Sequence, residues 1–83
     1  MAASAGAVFI LRMRLVPLID ASGVTALRQL LKRCARAGTR VILSGLCEQP
    51  RAILAQMGIR PDGLDLRFAE NFGEAVTMAN STT

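Results

Sequence analysis

Apolar and polar positions follow two rhythms along this chain, and the switches between them mark out six elements. Val8-Phe9-Ile10-Leu11 is a continuous apolar run of strand formers, and Arg12-Met13-Arg14-Leu15 continues it in alternation. The expected strand has a first half covered on both faces and a second half that sends Arg12 and Arg14 to one side, since residues two apart share a face. From Val24 the period changes. Val24, Leu27, Leu30, Leu31, Cys34 and Ala35 recur at helical spacing, with Arg28, Lys32 and Arg36 as the opposite stripe. Gly38 supplies a left-handed stop, and the cations of the last turns oppose the helix dipole favourably.

Val41-Ile42-Leu43-Ser44-Gly45 is a second buried strand, reached by a crossover long enough for parallel pairing and expected to be right-handed. Glu48-Gln49-Pro50 opens a short helix with Ile53, Leu54 and Met57 as its apolar face and Gly58 as its end. After the turn cluster Ile59 to Gly63, the segment Leu64-Asp65-Leu66-Arg67-Phe68 alternates as a half-buried edge strand. A last helix from about Asn71 is expected to bury Phe72, Ala75, Val76 and Ala79. The order βαβαβα defines an α/β domain with a small, mainly parallel sheet packed by helices. It spans residues 8–79, behind a flexible lead-in (1–7) and ahead of a frayed tail (80–83).

The stretch between the first strand and the longest helix, Val16 to Val24, carries the most local chemistry. Pro17 has no N–H to give a ladder, while Asp20 and Ser22 offer oxygens to the free N–H groups of a helix's first turn. Their side chains make this crossing a helix start with a small polar pocket.

Composition narrows the possible functions. A chain of 83 residues is one domain at most, and 52% hydrophobic content in so short a chain points to apolar surface left for a partner or a second copy. Charged residues interrupt every apolar run well before bilayer-spanning length, so the chain is read as soluble. With no His and no paired Cys spacing, a zinc site is not expected; Cys34 and Cys47 are read as two buried thiols of a reducing compartment in preference to a disulfide. The candidates for acid–base work are scattered carboxylates and two thiols, none paired by spacing, so no enzyme and no cofactor are expected. Residues 1–40 carry seven Lys/Arg against Asp20 alone, whereas residues 41–83 carry three Arg against five acids. Nucleic acid is not the expected partner of the basic half, because three Phe and no Tyr or Trp leave little to stack on bases. A solvated face is preferred for the basic stripe, with acidic lipid headgroups as the minority alternative.

Val8 to Arg14, then Pro17 to Gly23, then Gly38-Thr39-Arg40-Val41-Ile42-Leu43-Ser44-Gly45, taken together, resemble the STAS domain. The closest resemblance is to the cytoplasmic C-terminal STAS domain of SulP-type sulfate and anion transporters. Its most specific part is Asp20-Ala21-Ser22-Gly23 opening a helix directly after a strand. Domains of this family ordinarily carry further strands and a helix before the strand matched by Val8 to Arg14. That shortfall predicts an uncovered sheet edge and a homodimer or strand exchange.

The resemblance implies a non-enzymatic regulatory and interaction module. Its partners would be the membrane portion of a parent anion transporter or a cytoplasmic regulatory protein, and its place the cytoplasmic side of the inner or plasma membrane. The docking residues it implies are Asp20, Ala21, Ser22, Gly23, Val24, Thr25 and Arg28. In the family's anti-sigma-factor antagonists, the Ser or Thr after the Asp is the phosphorylated switch. Here that position is Ala21, which has no hydroxyl, so the remaining candidate for modification is Ser22, whose preferred role is helix capping. The alternatives are a stand-alone antagonist-like module and an anion- or nucleotide-sensing domain that holds its ligand weakly at the helix N-terminus.

Overall fold

The structure, a computed structural model, describes residues 7–61 and 65–81, apart from the side chain of Ser81. Three strands, β1 (Val8–Arg12), β2 (Arg40–Ser44) and β3 (Leu66–Ala69), alternate with three helices, α1 (Ala21–Arg36), α2 (Glu48–Gln56) and α3 (Phe72–Ser81). The strands are parallel in the order β1-β2-β3, with Phe9 opposite Val41 and Val41 opposite Leu66. The fold is therefore α/β with the βαβαβα order that the two rhythms predict.

The central position of β2 explains its composition. A parallel strand flanked on both sides and covered on both faces has no use for polar alternation, and Val41, Ile42, Leu43 and Ser44 are all buried. Its odd-numbered residues share one core with Leu11, Met13, Val24, Leu27 and Leu54, which places α1 and α2 on one face of the sheet. Its even-numbered residue Ile42 shares the other core with Ala69 and Ala75, beneath α3.

Several local expectations change in three dimensions. β1 ends at Arg12, yet Met13 stays in the ladder through its N–H to Ser44 O (2.8 Å) and is buried. Phe9, expected to be covered, is 40% exposed: it lies on the edge strand β1 and belongs to neither core cluster of the described residues. β3 is an edge as expected but starts two residues and ends one residue later than its alternation suggests; Leu64 lies outside the described residues. At the two ends, Arg40 N–H donates to Ala7 O at 2.8 Å and Asn80 and Ser81 belong to α3, while residues 1–6, 82 and 83 lie outside the described residues.

α3 shows the largest departure. Asn71 caps it by accepting from Glu74 N–H (2.8 Å), but Ala75, Met78 and Ala79 face the sheet, and Phe72 (45%) and Val76 (37%) are exposed. The helix is rotated by about half an apolar stripe from the expected face. Small residues allow the close approach to Ile42 and Ala69, and the exposed Phe72 ring instead stacks against the Arg12 guanidinium, 4.7 Å from its centroid. Cys34 and Cys47 are free and half-buried rather than buried.

Candidate functional site

The crossing from β1 to α1 is held at three levels. Asp20 is the N-cap: in extended conformation (φ −95°, ψ 179°), its carboxylate accepts from Gly23 N–H at 2.8 Å, while its carbonyl receives the first helical bond from Val24 N–H. Ser22 does not cap. It is the second residue of the helix and exposed, so Asp20 alone fills the role expected of the two.

Above the cap, the chain folds back on the helix. A methyl group at Gly23 would stand 2.9 Å from Ile19 Cγ2 and 3.4 Å from Asp20 Oδ1, so only glycine fits beneath the turn. Thr25 donates to Ala21 O (3.1 Å), binding the first helical turn to the second. Gly45 performs a related service at the end of β2: at φ 70° it turns the chain away, with the Arg14 Cβ only 3.2 Å from where its own would be.

The third level comes from α2 and was missed by reading along the chain. Gln49 pairs with the backbone of Ile19 in both directions: Ile19 N–H donates to Gln49 Oε1 (2.8 Å), and Gln49 Nε2 donates to Ile19 O (3.0 Å). An amide side chain thus stands in for the neighbouring strand that the loop lacks. The only sequence signal is an amide in the first turn of a helix that starts at the same end of the sheet, which is too general to find it.

The residues of the implied docking set are now separable by position. Ala21, Ser22 and Thr25 are exposed on the outer side of the helix start, beside the exposed Asp20. Val24 is fully buried and anchors the helix to the sheet. Val16, Leu18, Ile19, Gly23, Gln49 and Ile53 line an open groove of about 720 Å³ next to the cap. Leu18 (71%) and Leu15 (89%) leave most of their surface to solvent, which gives the loop an apolar crest. Arg28 stands apart from these residues. It donates through Nη2 to Met57 O at the end of α2 and lines a different cleft, with Lys32 and Arg60. A further cleft of about 310 Å³ lies at the carboxyl ends of the strands; Arg12, the last residue of β1, and Arg14, in the turn after it, both line it, so the strand alternation expected of the pair stops at Arg12 although they share a cleft. Among the described residues, no group of three or more His, Cys, Asp or Glu could hold a metal ion, and no helix is long and apolar enough to cross a membrane.

A short parallel sheet, a capped helix start after its first strand and an exposed loop hydrogen-bonded to α2 make up this end of the α/β domain. The sequence matches the STAS domain over residues 2–75, and the chain belongs to that family. A crystal structure of a sulfate transporter family protein from Wolinella succinogenes is similar to it, with a TM-score of 0.78 and 33% sequence identity. The match covers 90% of this chain and 62% of that one, so this chain spans less than two thirds of its structural relative. No curated relative matches it.

Proposed function

We propose that this STAS domain is a non-enzymatic regulatory module of a sulfate or related anion transporter, docking through the Asp20 to Thr25 helix start onto the membrane portion or onto a cytoplasmic regulatory protein. The observation that carries this reading is a surface fixed in shape and left open. Asp20 and Gln49 hold the backbone from both sides, while Ala21, Ser22, Thr25 and Leu18 point no polar or apolar group into the core. Preorganised exposed loops lose little entropy on binding, which favours docking. The likeness to a sulfate transporter family protein supports the transporter as partner.

Both alternatives meet a chemical obstacle. Ala21 removes the hydroxyl on which the antagonist switch depends. A phosphate at the α1 N-terminus would compete with the Asp20 carboxylate already bonded to Gly23 N–H and would be repelled by its charge.

The test is binding of the purified domain to the detergent-solubilised membrane portion of the transporter it accompanies, comparing the wild type with Ser22→Arg and Thr25→Arg. Both positions are exposed, and Thr25→Arg gives up only the exposed bond to Ala21 O, so thermal unfolding should shift little while binding falls about tenfold or more. Equal binding by all three proteins would remove this surface from the account.

A further inference from the structure

Farther down α1 lies a cleft of about 400 Å³ with a divided lining. Its apolar wall is Leu31, Met57 and Ile59; its cations are Arg28 and Lys32 from α1 and Arg60 from the segment after α2. From this division we infer that the cleft binds an amphipathic organic anion, a phosphate or carboxylate headgroup on a short aliphatic body.

The charge arrangement supports an anion. Arg28 and Lys32 are four residues apart on one helix, a spacing at which like charges repel and weaken the helix. Arg60 adds a third cation from the segment after α2, and Asp65 is the one carboxylate among the lining residues, so the lining carries three positive charges against one negative. A bound anion relieves that repulsion. Arg28 is also held in place, since one of its N–H groups is bonded to Met57 O and a guanidinium has five to offer. An oriented cation binds at a lower entropic cost than a free one.

The apolar wall explains why an inorganic anion is not the best fit. Met57 belongs to the apolar stripe of α2 by spacing, yet 40% of it stays exposed here, against Ile59, which is buried at 8%. Gly58 between them leaves open space where a side chain would stand. An aliphatic body laid along this wall would cover the exposed thioether, and its attached headgroup would then sit among the three cations. This site is independent of the docking surface proposed above, so either reading can fail alone.

The test uses octyl phosphate below its micelle concentration, with inorganic phosphate and octanol as half-ligands, followed by amide and methyl shifts of the whole chain. Octyl phosphate is expected to give saturable shifts centred on Leu31, Ile59 and the Met57 methyl, with each half-ligand binding at least about tenfold more weakly. Lys32→Gln combined with Arg60→Gln should weaken octyl phosphate about tenfold, and Met57→Gln should weaken octyl phosphate while leaving inorganic phosphate unchanged. All three positions are exposed, so the variants should fold. Unsaturable shifts spread over the surface, undiminished binding by the variants, or inorganic phosphate binding as tightly as octyl phosphate would each overturn the proposal. So would binding to mixed phosphatidylcholine and phosphatidylglycerol vesicles without binding of monomeric octyl phosphate, which would reassign the cations to a bilayer surface.

Discussion

Gln49 and Ile19, 30 residues apart, exchange two hydrogen bonds of 2.8 and 3.0 Å, so that one side-chain amide satisfies both polar groups of a loop peptide. The pair is partly buried, which raises the cost of losing it. A buried donor or acceptor left without a partner costs about 1–3 kcal/mol. Gln49→Leu, similar in size but without polar atoms, should therefore destabilise the domain by about that amount and greatly accelerate hydrogen exchange of the Ile19 amide. Gln49→Glu keeps the acceptor but sets a carboxylate against Ile19 O, and should protect the amide while still losing stability. An Ile19 amide that exchanges at the wild-type rate in Gln49→Leu would show that the loop has another support.

The cap makes a graded test. Asp20→Ala removes the acceptor for Gly23 N–H and should lower stability by about 0.5–2 kcal/mol, whereas Asp20→Ser, which retains a capping oxygen, should recover most of it. Chemical denaturation midpoints of the three proteins decide the matter. Equal losses for Ala and Ser would mean that the carboxylate acts other than as a cap.

Gly23→Ala sets two effects against each other. Alanine in place of glycine inside a helix gains about 1 kcal/mol. The added methyl would stand 2.9 Å from Ile19 Cγ2, a branch fixed at the β-carbon with little room to move. Overpacking of this kind costs about 1–3 kcal/mol. The net expectation is a less stable protein with its Ile19 and Leu18 resonances displaced, measured by thermal unfolding and amide shifts. A rise in melting temperature would mean that the loop yields at no cost.

Thr39 is buried at 7% exposure, and its hydroxyl is the one buried side-chain polar atom among the described residues without a hydrogen-bond partner. Thr39→Val keeps the shape and removes the orphan oxygen. Because an unsatisfied buried hydroxyl is a standing cost, the variant should be more stable by about 1 kcal/mol, a rise of roughly 4–8 °C in melting temperature for a domain of this size. An unchanged or lower melting temperature would point to a partner for the hydroxyl, such as an internal water.

The six elements, their order and the parallel class of the sheet were legible in the sequence because they depend on local periodicity. A short run such as Val41 to Ser44, with β-branched residues and Gly45 at its end, reads as a strand covered on both faces, and the spacing from Val24 to Ala35 reads as a helix buried on one side. The helix start was legible for the same reason: a cap acts within four residues, and Asp20 lies three before the N–H it receives. Local reading could not choose between Asp20 and Ser22, since both chemistries suit the first turn and only the entry angle of the chain decides which residue precedes the helix.

Tertiary structure decided whatever depends on two segments meeting. The inward face of α3 is one case: spacing permits both the Phe72, Ala75, Val76, Ala79 stripe and the Ala75, Met78, Ala79 stripe, and the fit of Ala75 against Ile42 and Ala69 selects the second. The role of Arg28 is another. By sequence it follows the docking loop closely, but two helical turns carry it to the end of α2, among the cations of a different cleft. The bond between Gln49 and Ile19 is the extreme case, since no pattern within either segment announces it. Periodicity determines which side of an element is buried, but the distance between segments far apart in the chain is set only when the sheet brings their ends together.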